Sequence, residues 1–257
     1  MELSLKNKVA IVLGGTRGIG RSIAQTFARE GAKVAVCARN AREVDETVSS
    51  LKNHGIQASG GSLDISDTFA LKAWIAYVAA ELGGIDILVS NAGAMAHGNS
   101  EDAWVANFKL DILGGAVAAF DAALPMLVRA AEAKGDAAFV IISSVSAAEA
   151  DHGGSYGPIK AALIHQAKGL ARQYAAKRIR VNVISPGSIY FKGGFWEDME
   201  ANNAERFKQF LALNPIGRMG SPQEIANAAV FLASPASAFT TGANLVVDGA
   251  FSRRVNF

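Results

Sequence analysis

The chain has 257 residues, of which 50% are hydrophobic and 19% are charged, with a formal net charge of +2 at pH 7. This composition is typical of a globular protein and argues against a disordered one. Because no Lys/Arg-rich run accompanies the near-neutral charge, we expect no nucleic-acid partner.

The first residues lack the pattern of a signal peptide, and no apolar run reaches the length of a membrane span. We therefore expect a cytoplasmic protein without a membrane partner. The single cysteine, Cys37, excludes an internal disulfide. The four histidines lack the spacing of metal ligands, so we expect no metal site.

Short apolar runs alternate with helical patterns along the chain. Seven runs predict buried strands, at 8–14, 33–39, 56–64, 85–93, 137–144, 179–187 and 244–249. The helical patterns include two helices around 101–134, one from Tyr156 and one at 222–233, and the region near 190–220 is predicted to be irregular. Strands that alternate with helices predict a parallel sheet covered on both faces. We therefore predict one doubly wound α/β domain, 1–257, with about seven strands.

A glycine-rich turn, "GGTRGIG", lies between the first strand and the first helix. Its glycines, Gly14, Gly18 and Gly20, have the spacing G-x-x-x-G-x-G. Glycines there let the backbone turn sharply and approach a pyrophosphate at the helix N-terminus. A tight turn alone would also need glycine, but the position between a strand and a helix favours a dinucleotide site.

The stretch "GGSYGPIKAALIHQ" places Tyr156 and Lys160 four residues apart, on one face of a predicted helix. Pro158 marks the start of that helix, since a first-turn residue has no intrahelical N–H bond to lose. Such a pair could be an ordinary surface contact. Alternatively, the ammonium could favour the phenolate and so help the tyrosine to exchange a proton with a substrate oxygen.

In this order and spacing the motifs resemble the short-chain dehydrogenase/reductase family over nearly the whole chain. They comprise the glycine turn, "SNAG" (90–93), a serine before Y-x-x-x-K, "SPG" (185–187), "GR-x-G-x-P-x-E-I-A" (217–226) and "VDG" (247–249). The resemblance implies a Rossmann-type sheet and hydride transfer between a nicotinamide cofactor and an alcohol or carbonyl. It also implies that Tyr156 exchanges the proton, that Lys160 binds the cofactor ribose, and that a serine hydrogen-bonds the substrate oxygen.

Two serines compete for that role. The family's usual gap to the tyrosine selects Ser143, whereas the family's pattern of a second serine followed by an apolar residue selects Ser144. Successive strand side chains point to opposite faces, so only one can act. We choose Ser144.

The chain departs from the family pattern at Leu13, Ser90, Phe191 and Asp111. Phe191 replaces a threonine that often holds the nicotinamide amide. Asp111 falls near the family's catalytic asparagine, which helps to position a water leading to the lysine, partly through its backbone carbonyl. An aspartate could keep that backbone role, so we count Asp111 with the catalytic residues.

The resemblance also predicts which residues bind the cofactor. They are Gly14, Thr16, Arg17, Gly18, Ile19, Gly20, Arg39, Asp64, Asn91, Gly93, Tyr156, Lys160, Pro186, Gly187 and Ile189. We expect NADP(H) and not NAD(H), because Ala38 replaces the usual acidic residue and Arg39 follows it. The planar guanidinium groups of Arg39 and Arg17 suit a 2′-phosphate.

The segment 190–199, "YFKGGFWEDM", combines aromatics with glycines where the family keeps a mobile substrate lid, and we predict a lid around 190–214. The alternative is that these aromatics pack into the core or a subunit contact. His97 and His152 line the substrate cleft or belong to surface loops. The helix 222–233 and the strand 244–249 resemble elements through which the family forms tetramers, so we expect a homotetramer.

The function predicted from these features is reduction of a ketone or 3-oxoacyl carbonyl by NADPH, or the reverse oxidation of an alcohol. The alternative is a non-catalytic NADP-binding sensor or scaffold of the same fold. The intact set of Ser144, Tyr156 and Lys160 favours the enzyme, because a pure binding protein would not need it.

Overall fold

A computed structural model describes residues 1–150 and 153–255, and its centre is one sheet of seven parallel strands. The strands are β1 (Val9–Leu13), β2 (Lys33–Ala38), β3 (Ala58–Ser62), β4 (Ile87–Ser90), β5 (Ala137–Ile142), β6 (Ile179–Pro186) and β7 (Asn244–Val247). Each lies within its predicted run. Their order in the sheet is β3-β2-β1-β4-β5-β6-β7, which confirms the doubly wound prediction.

Helices cover both faces of the sheet. They are α1 (Gly18–Arg29), α2 (Ala41–Lys52), α3 (Thr68–Leu82), α4 (Glu101–Asn107), α5 (Ala119–Lys134), α6 (Tyr156–Tyr174), α7 (Phe195–Asn202), α8 (Ala204–Ala212) and α9 (Pro222–Ala233). One core contains buried residues of α1, α2 and α9, such as Phe27, and the other contains residues of α3, α5 and α6, such as Phe120. The sheet is therefore buried on both sides, as parallel sheets require.

The region 101–134 is one continuous helix, so the prediction of two helices was wrong. A π-helical stretch, Phe108–Ala118, joins α4 to α5 without a break. Gly114 and Gly115 do not end the helix but let it pack closely. A Cβ on Gly114 would collide with the carbonyl oxygen of Ile65, and one on Gly115 would lie 2.6 Å from the hydroxyl of Ser90.

By length and composition this helix could cross a membrane, with a mean hydropathy of 1.6 in its most apolar 18-residue window. The expectation that no apolar run has that length was therefore wrong. Half of the window is buried inside the protein. Core helices of globular proteins pass the same test, so the helix is weak evidence for a membrane span.

The region near 190–220, predicted to be irregular, contains α7 and α8. Neither helix has a buried residue. They lie beyond the carboxyl end of β6, between Ile189 and Gly220, which pair in an isolated parallel bridge outside the sheet. The glycine turn after β1, the loop after β4, the serines after β5 and the segment after β6 all meet at this carboxyl edge. Ligands bind at such an edge in doubly wound folds.

Candidate active site

The glycine turn adopts the conformation that its sequence predicts. Gly14 and Gly18 have φ angles of +69° and +50°, a region that favours glycine. A Cβ on Gly20 would collide with the carbonyl oxygen of Gly14. Arg17 caps α1 in an extended conformation without a side-chain hydrogen bond to the helix. The first N–H groups of α1 therefore lack a side-chain cap at this open turn, which suits the pyrophosphate of a dinucleotide.

Two polar side chains that are predicted to bind the cofactor hydrogen-bond within the protein around this turn. The amide of Asn91 donates to the carbonyl oxygen of Gly14 at 3.0 Å. The hydroxyl of Thr16 donates to Glu43 at 3.0 Å, and the amide of Asn40 donates to the same carboxylate at 3.2 Å. Sequence reasoning missed Glu43, because an acidic residue in the first turn of a helix is ordinarily explained by capping.

Phe191 reaches the turn from the far side. A Cβ on Gly18 would lie 2.6 Å from Cζ of Phe191, and one on Gly194 would lie 2.9 Å from the same atom. The ring is thus held between two glycines, one in the turn and one at the start of α7. Phe191 ties the segment after β6 to the glycine turn.

Arg39 directly follows β2 and is exposed, and in the described residues neither Arg39 nor Arg17 has a carboxylate within ion-pair distance. Asp64 lies beyond β3, and its carboxylate accepts the backbone N–H of Ser66 at 2.9 Å. That bond is the main reason why the pKa of Asp64 is lowered, and the charge of Arg39 adds the smallest share. Arg39 and the glycine turn, which includes Arg17, thus lie next to the end of β2.

At the end of β6, the backbone of the "SPG" segment is fixed by neighbours. The N–H of Gly187 donates to the carbonyl oxygen of Val247 at 3.0 Å. A Cβ on Gly187 would lie 2.8 Å from Cα of Asp248, so glycine is needed there. Ile189 is buried, so its side chain belongs to the core. Pro186 is the last residue of β6. A cofactor could therefore contact this segment mainly through its backbone.

The predicted tyrosine–lysine pair lies at the start of α6. The helix begins at Tyr156, and Nζ of Lys160 lies 5.6 Å from the centroid of the tyrosine ring. Lys160 is buried, and its ammonium also donates to the carbonyl oxygen of Ile142 at 3.2 Å. The pair is therefore not a solvated surface contact.

Asp111 adds a carboxylate to this pair. Its Oδ1 lies 2.7 Å from Nζ of Lys160, and both side chains are at least 95% buried. Its Oδ2 accepts the backbone N–H of Ala94 at 3.1 Å. A Cβ on Gly93 would lie 3.2 Å from both Asp111 Oδ1 and Lys160 Nζ, so glycine lets this loop cover the ion pair. Asp111 reaches the lysine through its side chain, not only through its backbone.

The neighbours of Lys160 stabilise its positive charge. Burial acts to lower the pKa of Lys160, but the neighbouring Tyr156 and Asp111, together with the hydrogen bond to Asp111, outweigh it and raise that pKa. The ammonium therefore stays charged throughout the neutral range.

The two serines have different partners. The hydroxyl of Ser143 is buried and donates to the backbone carbonyl of Lys160 at 2.8 Å. The hydroxyl of Ser144 accepts the backbone N–H of Ser146 at 3.1 Å and keeps its own proton for another acceptor. A Cβ on Gly157 would lie 2.8 Å from the carbonyl oxygen of Ser146, so the turn capped by Ser144 lies against the start of α6.

Asn107, which sequence reasoning missed, organises the rim of the cleft. Its amide donates to the carbonyl of Ala96 and to the hydroxyl of Ser155, both at 2.8 Å, and its carbonyl accepts the N–H of Ala96 at 3.1 Å. It thereby fixes the loop after β4 against the residue that precedes Tyr156. Its only signal in the sequence is its position one helical turn before Asp111.

Aromatic rings connect the tyrosine to α7 and α8. The ring of His97 lies 6.0 Å from that of Tyr156 and 5.5 Å from that of Phe195. Trp196 lies 5.1 Å from Phe195 and 5.2 Å from Phe210. We call these five rings the aromatic chain. It places His97 beside the tyrosine, whereas His152 lies outside the described residues. Within the described part of the chain, no group of three His, Cys, Asp or Glu side chains could hold a metal ion.

Comparison with known proteins identifies the family. Residues 14–252 match the family model described as enoyl-(acyl carrier protein) reductase. An isoepoxydon dehydrogenase of Aspergillus clavatus is 36% identical over 254 residues, which cover 97% of this chain and 96% of the relative. The chain belongs to the short-chain dehydrogenase/reductase family. It is an oxidoreductase that acts on hydroxyl or carbonyl groups, as its motifs predict.

Other members of the family agree with this assignment. A 3-oxoacyl-[acyl-carrier-protein] reductase of Chlamydia trachomatis is 35% identical over 252 residues, which cover 95% of this chain and 97% of the relative. The structure of an L-sorbose reductase from Gluconobacter frateurii, complexed with NADPH and L-sorbose, superimposes with a TM-score of 0.89 at 30% identity. It covers 99% of this chain and 100% of the other. The Rossmann-type fold is thereby confirmed.

Proposed function

We propose that this protein reduces a ketone or 3-oxoacyl carbonyl with NADPH, or oxidises the corresponding alcohol with NADP⁺. The observation that carries the proposal is the buried ion pair of Lys160 and Asp111 beside the half-buried Tyr156, at the sheet edge that also bears the glycine turn. The named relatives support the substrate class, since they include a 3-oxoacyl reductase and a sorbose reductase bound to NADPH. A catalytically silent sensor or scaffold would not need this cluster.

The residues around the glycine turn fit a dinucleotide. The backbone of the turn and the open N-terminus of α1 would hold the pyrophosphate, Arg39 and Arg17 the 2′-phosphate, and Lys160 the ribose. When bound, the nicotinamide supplies or accepts the hydride at the carbonyl carbon. Asn91 and Thr16 act indirectly, because their side chains hold the turn in shape.

The chain's own residues manage the proton. As the carbonyl carbon gains hydride, the C=O π electrons move to oxygen, and the Tyr156 hydroxyl gives that oxygen its proton. Lys160 stabilises the phenolate that remains, and Asp111 holds the ammonium in place. Ser144 donates a hydrogen bond to the same substrate oxygen, because its proton has no acceptor among residues 1–150 and 153–255.

A comparison of the two serines tests this assignment. We expect Ser144→Ala to lower kcat by at least ~10-fold, because a hydrogen bond to the developing oxyanion is lost. Ser143→Ala should instead lower the thermal stability, since the carbonyl of Lys160 loses its partner, and leave most of the turnover. Steady-state kinetics and thermal melts of both variants measure this. The reverse pattern would assign the role to Ser143.

A screen for oxidation of NADPH tests the function as a whole. Ketones, 3-oxoacyl thioesters and sugars should be offered separately, with binding of NADPH followed by its fluorescence. Turnover with one class identifies the substrate chemistry. Tight binding of NADPH without turnover of any class would favour the sensor.

We further infer that residues 190–214 form a substrate lid on a single domain. Its helices, α7 and α8, contain no buried residue, so little packing opposes their movement. Within the aromatic chain, His97 lies between Tyr156 and Phe195, so the start of α7 is next to the tyrosine. The aromatics therefore belong to the cleft more than to the core.

A homotetramer is the assembly that we propose, and sedimentation velocity tests it. Phe239 is fully exposed, and Leu245 on the edge strand β7 is 38% exposed. The apolar side of α9 packs against α1 and the sheet, so we assign the subunit contact to strand β7 and its surroundings. We expect a tetramer at micromolar concentration and a smaller species for Phe239→Glu. Phe69→Glu, at a similarly exposed site on α3, is the control. Only monomer in the wild type would contradict the proposal.

The compartment that we propose is the cytoplasm. The one cysteine, Cys37, is buried in β2, and burial raises the pKa of its thiol to about 12. It is therefore a packing residue rather than a reactive thiol. An oxidising compartment would not add an internal disulfide to a chain with one buried cysteine. Fluorescence microscopy of a tagged chain in its native host would test this.

A further inference from the structure

The ion pair of Asp111 and Lys160 changes the charge that faces Tyr156. A neutral asparagine at this position would leave the full positive charge of the ammonium beside the tyrosine. Here a carboxylate lies 2.7 Å from that ammonium, and the exposed fractions of the two side chains are 2% and 5%. Little solvent screens charges that are buried to this extent. The tyrosine therefore faces a lysine whose charge is largely cancelled.

We propose that Asp111 keeps Tyr156 in its phenol form to a higher pH than a lysine alone would allow, and thereby keeps the enzyme ready for carbonyl reduction across the neutral and mildly alkaline range. This inference rests on the proposed function, because it assigns Tyr156 the proton transfer. Asp111 acts through Lys160 and is a positioning residue in this role.

The direction in which Asp111 moves the protonation of Tyr156 follows from the charges around the ring. Lys160, on the same helix, favours the phenolate, and Asp111, on the π-helical stretch, opposes it. Among the described residues, His97, from the loop after β4, also lies beside the ring. A neutral imidazole leaves the balance unchanged, and an imidazolium would favour the phenolate, so His97 does not oppose Lys160 in either form. The opposing group in the range of interest is therefore Asp111.

The two directions of the reaction need different forms of Tyr156. Reduction needs the phenol, whose O–H bond breaks as the new O–H bond of the alcohol forms. Oxidation needs the phenolate, which takes that proton back. The carboxylate does not alter the equilibrium between substrate and product. It alters the fraction of the enzyme that is ready for each direction at a given pH.

The test is Asp111→Asn, which has almost the same shape but no charge. Removing the carboxylate should move the rising limb of alcohol oxidation to lower pH by about one unit or more. The alkaline decline of ketone reduction should move by the same amount in the same direction. A residue with only a packing role would lower both rates without moving either limb.

A second measurement needs no substrate. Ultraviolet absorbance of the NADP⁺-bound protein detects tyrosinate, and subtraction of the matching Tyr156→Phe spectrum isolates this residue. We expect the tyrosinate of Tyr156 to appear at lower pH in Asp111→Asn than in the wild type. Because this titration does not depend on turnover, it separates the inference from the proposed function. If no substrate is found, the function fails while the titration still decides the inference.

Two controls isolate the charge. Asp111→Glu keeps the carboxylate and should keep the midpoint within about half a pH unit, even if turnover falls. The shift caused by Asp111→Asn should persist in a His97→Gln background, which removes the imidazole. If Asp111→Asn does not fold, as judged by circular dichroism, the smaller Asp111→Ser should give the same downward shift. A midpoint that stays in place, or that moves upward, would overturn the proposal.

Discussion

Replacing Tyr156 by phenylalanine is expected to lower turnover by at least ~10²-fold while the protein still folds and binds NADPH. The variant lacks only the hydroxyl, so the substrate oxygen loses its proton donor. The ring remains to contact His97, and Lys160 keeps Asp111 as its partner. Turnover on a confirmed substrate and fluorescence titration with NADPH measure the two quantities separately.

Tyr174→Phe is the matched control, because Tyr174 is the last residue of the same helix. Its ring packs against Phe120, far along α6 from the cleft. The control should retain near wild-type turnover. If Tyr156→Phe also retains it, Tyr156 is not the acid or base, and the proposed mechanism is wrong.

The second large effect concerns the cofactor. Ala38→Asp combined with Arg39→Ser should weaken NADPH binding by about ten- to a hundredfold and improve NADH binding. A charge-assisted contact to the 2′-phosphate, worth roughly 1.5–3 kcal/mol, is lost, and the new carboxylate repels the phosphate. The same carboxylate can accept hydrogen bonds from the ribose hydroxyls of NADH. Equilibrium titration with both cofactors measures the change.

Arg42→Ser is the control for this pair. Arg42 lies three residues beyond Arg39, is exposed, and pairs with Glu46 at 2.8 Å. Its removal should leave both affinities within about twofold, since its charge is screened and already partnered. A wild-type enzyme that binds NADH as tightly as NADPH would show that Arg39 does not bind a phosphate.

Glu43 places a negative charge near the predicted 2′-phosphate site, which the sequence did not indicate. It lies beside the glycine turn, bonded to Thr16 and Asn40, close to the end of β2. A carboxylate there opposes part of the positive charge of Arg39 and Arg17. The expected preference for NADPH therefore rests on two arginines acting together. Replacing either one should strongly weaken NADPH binding.

The strands and the start of α6 could be predicted because each depends on local pattern. Apolar runs bounded by glycine or charge mark buried strands, and Pro158 marks a first helical turn. The continuous helix at 101–134 could not be predicted in this way. Its glycines look like breakers in the sequence, and only the nearby Ile65 and Ser90 show that they allow close packing.

The site residues show the same difference between local pattern and long-range packing. Motif residues with a fixed chain separation, such as Tyr156 and Lys160, were found because one helix sets their geometry. The partner of Lys160 was identified only by position, and its side-chain contact depends on the packing of a different element. Asn107, at the end of α4, contacts Ser155, which lies 48 residues further along the chain. Contacts of that kind leave no periodic signal in the sequence.

The exposure of α7 and α8 bears on how readily this protein could change its substrate during evolution. Because α7 and α8 bury no residue, substitutions on them should change the free energy of unfolding by little. Most proteins face a conflict between new selectivity and the stability that mutations remove. In this chain the proposed lid and the residues that maintain the fold lie in largely separate segments. Such a scaffold can acquire a new substrate by drift in one surface segment while its catalytic centre stays unchanged.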